Sequence, residues 1–191
     1  MNRFILNILL LYCVVGFSQE EKTQDILQAD STWFKEIIKF PINFAREIPY
    51  QGFEELRFAP GFSKEESPEL WTYTWAWVIT NQKTFTENEL ETNIQLYFDG
   101  LLGLDPKHHK NVKQQTNAVF IKKDTKSYVG KIKTFDTRYT QKPITLNVKV
   151  DKHLCKENNR AILIFRISPQ EFENPVWKNL NAINLREGSC E

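Results

Sequence analysis

Glycine, cysteine and net charge are all scarce in this chain, and each scarcity removes a class of function. Only 7 of the 191 residues are glycine, too few for the backbone cradles that hold phosphates and dinucleotides. Neither a G-x-S-x-G elbow nor an S-x-x-K or H-E-x-x-H motif is present. The 3 cysteines are nowhere spaced as paired zinc ligands. Once Arg3 is set aside, the 25 Lys+Arg and 24 Asp+Glu cancel. That balance offers no basic face for nucleic acid and no strong attraction to anionic lipid. No apolar run after residue 18 reaches the length of a membrane span. The expectation is a protein with no cofactor, no nucleic-acid partner and no membrane span.

What is present begins at the N-terminus. Arg3 supplies a positive start, residues 4–17 are apolar apart from Asn7, and Gly16 and Ser18 place small side chains at −3 and −1 before Gln19. This predicts a secretory signal peptide over residues 1–18 and an exported protein, periplasmic or secreted. Lipidation at Cys13 is the competing reading. It lacks the small residue that should precede the cysteine, since Tyr12 stands there, and Val14 to Phe17 continue the apolar run. Residues 19–30 are polar and read as a flexible leader, and residues 31–191 as one domain. A hydrophobic content of 41% with 14 Phe and 5 Trp excludes disorder for the bulk of it. Cleavage leaves Cys155 and Cys190, and in an oxidising compartment the two predict a disulfide. The alternative is a reactive Cys155 with His153 as its base.

The patterns along the domain predict an α+β fold: a single mostly antiparallel sheet of about six strands with helices packed on it. Trp33, Phe34, Ile37 and Ile38 fall at helical spacing behind Ser31 and predict a short helix ended by Pro41. Residues 42–60 turn extended, with Ile42 and Phe44, then Leu56 and Phe58, alternating with polar neighbours. Trp71, Tyr73, Trp75, Trp77 and Ile79 then alternate with Thr72, Thr74, Ala76 and Val78, a strand with one bulky and one small face. Thr86 and Glu89 form a capping box with Phe85 and Leu90 as its staple. Leu90, Ile94, Tyr97, Phe98, Leu101 and Leu102 make the apolar stripe of that helix, while Glu87, Glu91, Gln95 and Asp99 take the opposite face. Gly103 and Pro106 end it. Residues 118–123 and 128–136 read as a hairpin, 144–150 as a half-exposed strand and 161–167 as the central strand. Asn174 and Pro175 start a last short helix.

Three groups of residues could carry function. The row Trp71, Tyr73, Trp75 and Trp77 is either the main core or an aromatic platform for a flat ligand; three exposed tryptophans would favour aggregation, which weighs toward core. Asp105, His108 and His109 are the candidate metal or acid–base cluster. Adjacent histidines point apart, and Lys107 and Lys110 repel a cation, so a solvated loop is the simpler reading. Glu54 and Glu55 read as the exposed face of a strand. Glu87, Glu89 and Glu91 suit the positive end of the helix dipole.

The leader ending in Gly16, Phe17 and Ser18, the Pro-Gly-Phe at 60–62 ahead of the aromatic strand and the Tyr-Phe-Asp-Gly at 97–100 resemble uncharacterised small exported proteins of Gram-negative bacteria. The resemblance implies export and brings no activity with it. The order of strands and helices is similar to that of PsbP/Mog1-like folds, at the level of the fold alone. The functional expectation is a non-catalytic exported domain that binds a ligand or a cell-envelope partner. The alternatives are a small periplasmic hydrolase or metal-dependent enzyme built on the Asp105, His108 and His109 loop, and a structural component of an envelope complex.

Overall fold

The computed structural model describes residues 25–81, 84–107, 114–155 and 157–190. The signal segment and the His108–His109 pair lie outside the described residues. A two-stranded sheet pairs β1 (Leu27–Gln28) with β9 (Asn184–Leu185). The main sheet has seven antiparallel strands: β2 (Phe34–Lys39), β3 (Gly52–Phe58), β4 (Tyr73–Thr80), β5 (Asn117–Lys122), β6 (Ser127–Phe135), β7 (Pro143–Cys155) and β8 (Arg160–Ser168). Their order in space is β2-β3-β4-β8-β7-β6-β5. Two helices complete the described residues, α1 (Glu87–Leu102) and α2 (Val176–Ala182).

The fold is therefore mostly β, which corrects the six-stranded α+β expectation. Residues 33–38 do not form a helix. Short runs of Trp, Phe and Ile fit either period, and here β2 pairs with β3 along Phe34↔Phe58 to Lys39↔Phe53. Residues 42–48 form turns rather than a strand. Residues 25–30, read from sequence as leader, carry β1. The hairpin β5–β6 and the central position of β8 agree with the sequence reading.

Both faces of the sheet carry a core, and the alternation along β4 explains why. Its bulky face, with Leu163 and Phe165 of β8, packs beneath Ile94, Tyr97 and Phe98 of α1. Trp75 stacks between Phe165 and Tyr97, with ring centroids 4.5 and 5.7 Å away. Its small face, Ala76 and Val78, leaves room for Trp177 and Leu180 of α2 and for Ile26 and Leu27. Cys155 at the end of β7 is bonded to Cys190, with Cα atoms 4.9 Å apart. The bond removes Cys155 from the list of nucleophiles and leaves His153 on the surface.

Helix α1 follows its sequence pattern closely. The Thr86–Glu89 capping box is formed in both directions, and Gly103 takes the left-handed conformation with φ 66°. A Cβ at Gly100 would lie 1.8 Å from the Phe44 carbonyl oxygen, so only glycine lets the 42–48 segment lie against the helix. The polar face is not simply solvated. Glu91 accepts the Phe120 N–H (2.9 Å) and Asp99 the Thr116 N–H (2.7 Å), so the helix reaches across to the outer edge of β5.

Glu54 and Glu55 are both 0% exposed, against the surface reading of the sequence, because β3 is covered on both faces. Glu55, on the α2 side, accepts the Ile26 N–H at 2.7 Å and the Arg57 Nε–H at 2.9 Å. Arg57 also pairs with Asp25. This buried set ties residues 25–27 to the sheet. Glu54 faces the other way, into the aromatic core.

Candidate functional site

The main core does not close at its β2–β3–β4 corner. A pocket of about 320 Å³ opens there between the sheet, the C-terminal half of α1, Phe44 of the 42–48 segment and two loops. Strand alternation turns Ile38, Leu56 and Phe58 toward it, and the α1 stripe contributes Tyr97 and Leu101. Glu36 and Arg138, both exposed, add one charge of each sign to the lining.

Each loop is held by its own hydrogen bonds. In the 59–72 loop the Phe62 N–H donates to the Ala59 carbonyl (2.9 Å) and the Trp71 N–H to the Phe62 carbonyl (3.0 Å), while Glu69 accepts the Gly61 N–H (2.8 Å). Phe62 is thereby set edge-on against Trp71, Tyr73 and Tyr139, at 5.7, 5.3 and 5.8 Å. Trp71 itself sits at φ 54°, a left-handed conformation that costs a bulky residue roughly 1–2 kcal/mol. Strain of this kind gathers at functional sites. In the second loop the Asp136 carboxylate accepts the N–H groups of Arg138, Tyr139 and Thr140 (2.9, 3.0 and 2.9 Å). Burial works to raise the pKa of Asp136, but these donors outweigh it and hold the group below the usual carboxylate range. The turn so formed presents Tyr139 and Arg138, and Arg138 donates to the Leu101 carbonyl at 2.9 Å, one of the carbonyls left open at a helix C-terminus.

Behind the lining residue Tyr97 the core holds a buried polar group. The Tyr97 hydroxyl donates to Glu54 Oε1 at 2.9 Å, and Glu54 Oε2 has no hydrogen-bond partner among the described residues. Burial pushes Glu54 up to about 8; Tyr97 and Trp77 pull it down, and Glu36 adds to the rise. Burial likewise lifts the Tyr73 and Tyr97 hydroxyls well above 10. The Tyr73 hydroxyl is buried and has no partner among the described residues. At neutral pH all three groups hold their protons.

No protein-family model, curated protein or solved structure matches this chain. The pocket must be read from its own chemistry.

Of the residues singled out from sequence, Trp71 and Tyr73 line the pocket, while Trp75 and Trp77 continue the row into the closed core, each 0% exposed. Asp105 lies in the loop after α1 and accepts the Lys107 N–H at 2.8 Å; it takes no part in the pocket. His108 and His109 lie outside the described residues. Sequence reasoning missed Glu36, Phe62, Arg138 and Tyr139 as members of one site, and Glu54 as the buried group behind Tyr97. Glu54 had a usable signal, a charged residue on the same face of a strand as Leu56 and Phe58. The others come from loops and an edge strand, where no period points to the site.

Proposed function

We propose that this is a non-catalytic exported domain whose aromatic pocket binds a small, largely apolar ligand. One observation carries the reading: a pocket of about 320 Å³ opens at the edge of the aromatic core, with Tyr73, Tyr97 and the strained Trp71 in its lining. Concave, mostly apolar sites with a few convergent polar groups are where proteins bind small molecules. Export is supported by the leader pattern and by the Cys155–Cys190 bond. No helix among the described residues is long and apolar enough to cross a membrane, which accords with that reading.

Calorimetric titration with cumene, a neutral hydrocarbon, tests the pocket directly. A dissociation constant of about 0.1–1 mM is expected for so small a probe. Leu101→Trp, which places an indole in the opening, should abolish that binding while leaving thermal stability near that of the parent. Binding that survives Leu101→Trp, or no binding up to the solubility limit, would refute the assignment.

A further inference from the structure

We infer that the pocket takes a single α-amino acid with an apolar side chain, its carboxylate on Arg138 and its ammonium on Glu36. The inference rests on the proposed binding role and names the ligand class for the same site. Glu36 and Arg138 are the charged members of the lining, and both are exposed, so a ligand in the opening reaches them without any movement of the core. Among the described residues neither belongs to an ion pair. Glu36 stands on β2 opposite Leu56 of β3, itself part of the lining, and so supplies the negative charge from the sheet. Arg138 supplies the positive charge from the helix side. Its turn is capped by Asp136 and tied to the end of α1, where the Thr137 hydroxyl donates to the Leu102 carbonyl (2.8 Å) and Arg138 Nη2 to the Leu101 carbonyl (2.9 Å). A guanidinium carries five N–H donors. The one spent on Leu101 holds the group at the rim, and the others suit the two oxygens of a carboxylate. The rest of the accessible lining is apolar or aromatic: Ile38, Phe44, Phe58, Phe62, Leu101 and Tyr139. At about 320 Å³ the volume lies at the low end for small-molecule sites, enough for one amino acid and not for a peptide. A lone carboxylate would meet Glu36 as well as Arg138, and a lone ammonium the reverse. A zwitterion answers both charges.

Phenylalanine, phenylpropionate and phenethylamine share one ring and differ in charge, and cumene carries none. Each is titrated into the wild-type chain, Arg138→Gln and Glu36→Gln, and binding is read from the amide chemical shifts of the isotopically labelled protein. Both substitutions fall on exposed side chains, so melting temperatures should stay near the parent's. Phenylalanine should bind the wild type about fivefold more tightly than either singly charged probe, the upper end of what one exposed charge pair contributes. Arg138→Gln should weaken phenylalanine and phenylpropionate about fivefold and leave phenethylamine no weaker. Glu36→Gln should weaken phenylalanine and phenethylamine and leave phenylpropionate no weaker. Cumene should change by less than about twofold in both. Arg138→Lys, which keeps the charge and loses the fork, should fall between wild type and Arg138→Gln for phenylalanine. If cumene binds and phenylalanine responds to neither variant, this inference fails and the binding role stands. Tighter binding of phenylpropionate or phenethylamine than of phenylalanine overturns it in favour of a single anchor. If cumene does not bind the wild-type chain, the pocket reading itself falls.

Discussion

Replacing Glu54 by glutamine should make the protein more stable, and increasingly so as the pH rises. Glutamine keeps the shape of the side chain and an oxygen for the Tyr97 hydroxyl, but it cannot ionise. In the native chain Glu54 holds its proton up to about pH 8, against an ordinary value of 4.5, chiefly because of burial. The folded state then binds the proton more tightly than the unfolded one, so the contribution to stability is full below pH 4.5 and is lost as the pH climbs through 8. At about 1.4 kcal/mol for each unit of that gap, the loss is about 3 kcal/mol at pH 7 and approaches 5 kcal/mol above pH 8. Glu54→Gln should therefore match the wild type near pH 4.5 and exceed it by those amounts at pH 7 and 9. Urea unfolding followed by tryptophan fluorescence, with the disulfide intact, reads the difference at each pH. Other titrating groups cancel in the comparison. A difference that stays flat from pH 4.5 to 9 would show that the carboxyl is charged or hydrated in the native protein.

Trp75, fully buried and stacked between Phe165 and Tyr97, should cost about 3–5 kcal/mol on truncation to alanine; near-wild-type melting would remove it from the core. The Cys155–Cys190 bond spans 35 residues, and its reduction should destabilise the domain by roughly 3–4 kcal/mol. Thiol titration of the denatured, unreduced chain should find no free thiol, and two would refute the bond. Mass spectrometry of the chain after export should find it beginning at Gln19, so an intact Met1 or a lipidated Cys13 would contradict the leader reading.

The elements that were legible in the sequence are those whose instructions are local. The capping box at Thr86, the α1 stripe and the stop at Gly103 lie within one continuous stretch, and the period-two alternation that runs into β4 is nine residues long, from Trp71 to Ile79, although the strand itself begins at Tyr73. The 33–38 run was not legible, because six residues hold too few turns of a helix or pleats of a strand to separate the two. What decided it was the free edge of β3, far along the chain. Glu54 and Glu55 misled for a related reason: alternation reports that a strand has two faces, not that both are covered. The pocket was half visible. Trp71, Tyr73 and Tyr97 belong to strong patterns, whereas Arg138 and Tyr139 are placed by a turn that Asp136 caps and that Thr137 and Arg138 tie to the end of α1.

The reach of α1 across to β5 has a consequence for how copies of this chain meet one another. A seven-stranded open sheet ends in two rows of backbone groups that could template another strand. At β5 Glu91 already occupies the N–H of Phe120, and Asp99 that of Thr116 just before the strand. A strand arriving at that margin would have to displace two carboxyl acceptors and pry the helix aside. At the opposite margin β2 presents Lys35, Glu36 and Lys39 to solvent. Pairing with a second β2 about a two-fold axis would set Glu36 against Glu36, or Lys35 against Lys39. Strand addition thus meets engaged N–H groups at one margin and, in these pairings, like charge at the other.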